Sequence, residues 1–351
     1  MTPRAWMIVP PSPERFDGVR DFASHLGAAL SASLRVTHIT TAEDAAPAPA
    51  AERLAAWSAL DARGDRPDAI FVNYAPQAWM RRDRRALLAR LAALRDGGTR
   101  VVIIIHEYQV DPAPSVARVT ARFLFRRLAR AFAARADALV TTHEFVAGLA
   151  RADGLERLCP MTMIPVGSNL RDPGAPALRA GPARIVMFGQ PAGMQAAMTA
   201  AIARMAAARG VPLVWICRRE DEARAWMRAS GIAPEAMSLA VGLDNDAASR
   251  ELSRATVGVA PIIDGVSTRR TSVAALLQHG LPVAGSDGRA TGALFRGSAA
   301  FLLAPVGDGA AAAASVETLL DDPPLADRTA AAARDLFDAH LAWPRIASAY
   351  V

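Results

Sequence analysis

With 351 residues, of which 52% are hydrophobic and 21% charged, the chain is long enough for two α/β domains with separate cores. Its formal net charge of +6 comes from arginine without a single lysine. No zinc-finger spacing, RNP signature or aromatic–basic interleaving accompanies it, so nucleic acid is not an expected partner. Two cysteines, Cys159 and Cys217, are too few for a disulfide framework or metal cluster, and no apolar run reaches the roughly 18 residues of a membrane span.

Short aliphatic runs alternate with Ala/Arg/Leu-rich helical stretches, the pattern of parallel α/β architecture. The first half predicts strands at Trp6–Val9, Leu34–Ile39, Ala69–Asn73, Val101–His106, Ala138–Thr142 and Met161–Pro165, with helices including Val19–Leu30, Arg84–Leu94 and Val119–Ala134. The opening apolar stretch reads as a first strand rather than a secretory leader, so a cytoplasmic chain is expected. Ala45–Ala51 reads as a surface loop. A Pro/Gly cluster, Arg171-Asp172-Pro173-Gly174-Ala175-Pro176, interrupts the pattern and marks the linker. A second series follows at Arg184–Phe188, Leu213–Cys217, Met237–Val241, Val257–Ala260, Pro282–Gly285 and Ala300–Leu303. Two doubly wound units place ligand-binding loops at the carboxyl ends of their strands.

The stretch richest in chemistry is Pro261-Ile262-Ile263-Asp264-Gly265-Val266-Ser267-Thr268-Arg269-Arg270-Thr271-Ser272, running to Gly280-Leu281-Pro282-Val283. A buried strand enters a glycine-containing loop, and a helix is expected from about Arg269, capped by a Ser or Thr. Gly280 closes that helix. Free backbone N–H groups, adjacent arginines and hydroxyls suit a diphosphate. A plain strand–loop–helix with solvated arginines fits the residues equally well.

Strand, Asp-Gly-Val-Ser, Arg-Arg, then Ala-Ala-Leu and Gly-x-Pro-Val resembles the donor-binding segment of family 4 glycosyltransferases, and other pieces fall in that family's order. Phe16-Asp17-Gly18 precedes the first helix like the family's N-terminal glycine loop. His106-Glu107 follows a strand where the family often carries an active-site His. Ala136–Thr142 and Ile164–Asn169 resemble the last N-domain strands. Gly242-Leu243-Asp244 with Glu251 resembles the region beside the base pocket, and Trp343–Ala347 the terminal helix.

The resemblance implies a GT-B fold: two Rossmann-like doubly wound domains facing a central cleft. An acceptor domain would span 1–172, a donor domain 182–330, and a returning helix 331–351. It implies transfer of a sugar from a UDP- or GDP-sugar to a glycan or lipid-linked acceptor with retention, and no metal or cofactor. Fixed cations would then stabilise the leaving phosphate. His106, Glu107 and Arg269 are the expected catalytic residues. Gly18, Arg218, Asp244, Gly265, Val266, Ser267, Thr268, Arg270 and Ser272 are the expected donor contacts.

The sequence also departs from the family. Counting back from Gly280, the usual Glu pair falls on Ser267 and Ala275, and Gly189–Gln195 lacks the usual bases. Arg269, Arg270 or Arg218 can take the place of the latter. A catalytically silent nucleotide-sugar-binding homologue, or an epimerase on the same fold, are the alternative readings. Two basic stretches, Trp79–Arg95 and Arg118–Arg135, read either as core-facing helices with solvated arginines or as contacts with an anionic membrane surface.

Overall fold

A computed structural model describes residues 2–9, 18–39, 66–76, 84–108, 116–174 and 181–351. The chain forms two compact units, Met1–Pro165 with Ile346–Val351, and Val166–Arg345. The division falls ahead of the Pro/Gly cluster. Val166 N donates to Thr268 O (2.9 Å), Trp343 Nε1 to Ser168 O (2.7 Å) and Gln278 Nε2 to Leu170 O (3.3 Å), so the chain joins its second unit before reaching Arg171.

Unit 1 is built on a six-stranded parallel sheet of order β2-β1-β3-β4-β5-β6. Its strands are β1 (Arg4–Ile8), β2 (Arg35–Ile39), β3 (Ala69–Tyr74), β4 (Arg100–Ile105), β5 (Ala138–Thr141) and β6 (Met161–Met163). The apolar runs Ile70–Val72 and Val101–Ile105 are buried along their length, as in a sheet covered on both faces. Helix α1 (Gly18–Leu30) follows β1 and buries Phe22, Ala23, Leu26 and Leu30, one stripe of its surface. The other described helices are α2 (Arg84–Asp96), α3 (Val116–Ala133) and α4 (Glu144–Ala152).

Along α3, Phe125, Leu128 and Phe132 are buried, whereas Phe123 is exposed beneath the Arg127 guanidinium, 5.6 Å from its ring centroid. The helix is thus core-facing with an arginine-rich outer face. No described helix is long and apolar enough to cross a membrane. The Ala45–Ala51 loop, Trp79, Arg81 and Arg82 lie outside the described residues, as does the Arg118 side chain.

Unit 2 repeats the architecture with β7 (Ile185–Phe188), β8 (Leu213–Cys217), β9 (Ser238–Val241), β10 (Val257–Ala260), β11 (Val283–Asp287) and β12 (Phe301–Pro305), in the order β12-β11-β10-β7-β8-β9. Counted within the unit and read from the β9 edge, that is the Rossmann order 3-2-1-4-5-6. Its helices are α5 (Ala196–Ala208), α6 (Glu220–Ala229), α7 (Asn245–Ser253), α8 (Thr271–Gln278), α9 (Ala293–Arg296), α10 (Gly309–Asp321), α11 (Pro323–Leu336) and α12 (Trp343–Ser348), the last ending in unit 1. Both cysteines are free and buried, and burial pushes the Cys159 thiol up to about 11.

Candidate functional site

In an open parallel sheet, ligands gather beyond the carboxyl ends of the strands where the strand order reverses. In unit 2 that point lies between β7 and β10, and the loops after those strands are stitched together. Met194 bridges Ile262, Gln195 N donates to Pro261 O (2.7 Å) and Ile263 N to Gly193 O (3.0 Å). The Asp264–Arg270 turn is fixed from below by β11. Val266 N donates to Ser286 O (2.9 Å), Ile262 N to Ser286 Oγ (2.9 Å) and Ala290 N to Asp264 O (2.8 Å). Gly265 has φ +94°, and a Cβ there would approach Gly288 N to 2.5 Å, so only glycine passes through this crossing.

Two arginines emerge from this turn. Asp264 accepts from Arg269 Nη2 (2.8 Å) and Arg270 Nη2 (3.0 Å), taking one terminal nitrogen of each guanidinium. Burial opposes ionisation of Asp264, but the charges of Arg270 and Arg269 outweigh it and hold its carboxyl below the usual range. Burial and the adjacent Arg269 charge push Arg270 down from its ordinary value. The cluster therefore keeps a net positive charge after its internal pairing. Arg269 Nε, Arg270 Nε and Ser267 Oγ are buried without a hydrogen-bond partner among the described residues. Such groups favour an additional acceptor, because an unmet buried donor costs roughly 1–3 kcal/mol.

Helix α8 starts two residues later than its sequence suggests. Its N-cap is Arg270, in extended backbone and without a side-chain cap, rather than a Ser or Thr. Ser267 is buried and Thr268 O is engaged by Val166, so the turn spends these residues before the helix begins. Gly280, at φ +61°, ends the helix as expected. Ser272 lies in the first turn, and its Oγ would sit 3.5 Å from a Cβ on Gly189. A Cβ on Gly193 would likewise be 3.0 Å from Arg270 Nη1. The bare backbone after β7 thus lies against the arginines and the start of α8.

The other donor-side residues are less concentrated. Val266 is fully buried in the core with its N–H committed, so it shapes the turn and offers a ligand nothing directly. Arg218 is exposed just after β8. Asp244 caps α7, its Oδ1 accepting from Ala247 N (2.7 Å). Glu251 pairs with Arg184 (2.6 Å) and Arg254 (2.8 Å), a structural tie between α7 and the start of β7.

In unit 1 the strand order reverses between β1 and β3. His106 follows β4 one strand away, its N–H donating to Tyr74 O (3.1 Å). Its Nε2 lies 2.8 Å from Asn73 Oδ1, and its ring stands edge-on to Phe22 of α1, with centroids 4.7 Å apart. Asn73 is fully buried and also donates to Ile8 O (3.0 Å). Glu107 is exposed beside His106. Gly18 opens α1, where a Cβ would meet open space, while Phe16 and Asp17 lie outside the described residues. Gly18 is thus small without being forced to be so by packing.

Asn73 was missed in the sequence, although a lone amide closing the apolar run Ala69-Ile70-Phe71-Val72 was the available signal. Asp264 was read only as part of the loop, and a carboxylate five residues ahead of paired arginines could have identified it as their counter-ion.

Residues 9–167 match the glycosyl transferase 4-like domain. That stretch, most of unit 1, is thus similar to the domain of family 4 glycosyltransferases. The fold of the chain is GT-B, shared with sucrose-phosphate synthase from Thermosynechococcus elongatus (TM-score 0.67, 17% identity, 99% of this chain and 97% of that one). It is also similar to Anabaena HepE in complex with UDP (TM-score 0.67, 14% identity, 99% and 98%). An E. coli trehalose-6-phosphate structure bound with UDP-2-fluoro glucose matches at TM-score 0.62 and 12% identity over 99% and 98% of the two chains. No curated protein matches the chain in sequence.

Proposed function

We propose that this chain is a glycosyltransferase that draws its sugar from a nucleoside diphosphate donor, UDP- or GDP-linked, and that unit 2 holds the diphosphate at the turn between β10 and α8. The observation that carries the reading is the Asp264–Arg269–Arg270 cluster, a net positive group set in a rigid turn at an uncapped helix start. HepE in complex with UDP and the structure bound with UDP-2-fluoro glucose support the same donor class. In this reading Arg269 and Arg270 contact the two phosphates. Ser272 and the α8 N–H groups complete the grip, and Arg218 adds a cation from the loop after β8.

His106 of unit 1 is the residue we assign to the acceptor hydroxyl, with Glu107 orienting the incoming group and Gly18 leaving room for it. The hydroxyl oxygen bonds to the anomeric carbon on the same face from which the phosphate oxygen departs, as the bond from that carbon to the phosphate oxygen breaks. The electron pair leaves with the nucleoside diphosphate, the hydroxyl proton passes to His106, and the arginines stabilise the charge developing on phosphate. No metal is required, because the guanidiniums supply the positive charge. Retention of anomeric configuration and a glycan or lipid-linked acceptor complete the proposal. The arginine-rich face of α3 suits contact with an anionic surface on the cytoplasmic side of a membrane.

Calorimetric titration with UDP, GDP and their sugars tests the donor class. Saturable binding of one nucleoside diphosphate, weakened in Arg270→Ala, is the expected outcome. Absence of binding to every nucleoside diphosphate overturns the proposal.

A further inference from the structure

We infer that Asn73 is a positioning residue that fixes His106 in the Nε2–H tautomer, so that Nδ1 is the atom at which the ring takes up a proton. The inference deepens the acceptor-side reading above and rests on it for its catalytic consequence, though not for its geometry.

The chain of contacts begins at β1. The Ile8 carbonyl can only accept a hydrogen bond, and it lies 3.0 Å from the Asn73 side-chain nitrogen. Met7 Sδ, a weak acceptor, lies 3.2 Å from the same nitrogen. The opposite amide orientation would set two oxygens against each other in a fully buried place. The amide orientation is therefore set by chemistry, and Oδ1 faces His106. An oxygen of this kind has no proton to give, so Nε2, at 2.8 Å, must be the donor.

A neutral imidazole carries one N–H, which leaves the lone pair on Nδ1. Protonation at Nδ1 then leaves the Asn73 bond intact, since Nε2 donates in both charge states. Phe22, edge-on to the ring at 76°, and the His106 N–H bond to Tyr74 O hold the ring's position. The β1–β3 crossing thus transmits a fixed backbone carbonyl, through one amide, to the choice of basic atom. The partner this device suits is an alcohol that gives up a proton, the chemistry of a sugar or polyol acceptor.

Histidine tautomers are read directly by two-bond proton–nitrogen correlation in the ¹⁵N-labelled full-length protein, with His106→Gln assigning the signals. Above the imidazole pKa, His106 is expected to show the Nε2–H form in about fivefold excess over the ratio of a free imidazole, as one hydrogen bond of ordinary net strength gives. Asn73→Ala is expected to lose that excess. Asn73→Asp keeps the acceptor oxygen but sets a second oxygen against Ile8 O, so it is expected to keep the excess at a cost in stability; Asn73→Leu, similar in size and without an acceptor, is expected to lose it and serves if the alanine variant does not fold. A dominant Nδ1–H form in the wild type, or an unchanged ratio in folded Asn73→Ala, overturns the inference.

The pH profile of kcat separates the two readings. Asn73→Asp places a carboxylate against Nε2–H and is expected to move the acidic limb to higher pH, with KM for the nucleotide sugar within twofold of wild type. The expected tautomer with an unmoved limb sustains the positioning role and removes His106 as the proton acceptor instead.

Discussion

Each of the two sheets reverses its strand order beside its own first strand, yet they place opposite chemistry there. Beside the reversal in unit 1 stands a relay of neutral groups, Ile8 O, Asn73 and His106, with an aromatic edge from Phe22. At the reversal in unit 2 stands a charged knot, in which one carboxylate holds two guanidiniums in a glycine crossing. A neutral relay can choose a tautomer and move a proton, but it can hold little developing charge. A knot of fixed cations can take up phosphate charge. Under the proposed function, that division would serve the two halves of glycosyl transfer, an alcohol losing a proton and a diphosphate gaining an electron pair.

The comparison breaks most visibly if the two regions are not separable in kinetics. His106→Ala is expected to lower kcat roughly 100- to 10,000-fold, the range for loss of a general base, with nucleotide affinity unchanged by calorimetry. An equal loss of UDP or GDP affinity would mean that His106 serves the donor. Arg270→Ala is expected to act in the reverse sense, weakening nucleoside diphosphate binding by roughly 1.5–3 kcal/mol for a lost charged hydrogen bond. Unchanged affinity in both Arg270→Ala and Arg269→Ala would place the phosphates away from this turn.

A smaller, pH-dependent effect belongs to unit 2 alone. His279 is fully buried, with Nδ1 donating to Ala275 O (2.7 Å) and Nε2 2.7 Å from Ser249 Oγ; Asp172 and Arg334 are its charged neighbours. Burial pushes its pKa below the ordinary value of 6.5, and this outweighs the opposing effects of the Ala275 bond and Asp172. The unfolded chain therefore takes up the proton first. Stability is complete above about pH 6.5 and falls on acidification until the folded ring also protonates, by at most about 1.4 kcal/mol per pH unit. Thermal melts at stepped pH should show this slope in wild type and a flatter one in His279→Gln.

Strand positions were legible in the sequence because burial on both faces of a parallel sheet leaves uninterrupted aliphatic runs, and every run read as a strand forms one. The loop from Asp264 to Arg270 was legible as a place, because glycine, paired arginines and hydroxyls stand together. Its internal wiring was not, since the bonds that fix it come from Ser286 and Gly193, distant in sequence. The cap of α8 was misread for the same reason: Ser267 and Thr268 had been claimed by burial and by Val166 before the helix began. Asn73 depends on Ile8 and His106, partners on separate strands that only the folded sheet brings together.

Asp244 offers the finest test, because two explanations of one carboxylate predict different rescues. The family resemblance implies a place for it beside the nucleotide base, whereas its side chain caps α7 through Ala247 N. Removing a cap of this kind costs roughly 0.5–2 kcal/mol of stability. Asp244→Ala should therefore lower the melting temperature modestly, and any loss of nucleotide affinity should follow from displacement of α7. Asp244→Asn keeps an oxygen for Ala247 N but removes the charge. If capping is the whole role, Asp244→Asn restores both melting temperature and affinity. If the carboxylate also meets a ribose or base, stability returns and affinity does not, and the donor region of unit 2 then extends beyond the arginine turn to the start of α7.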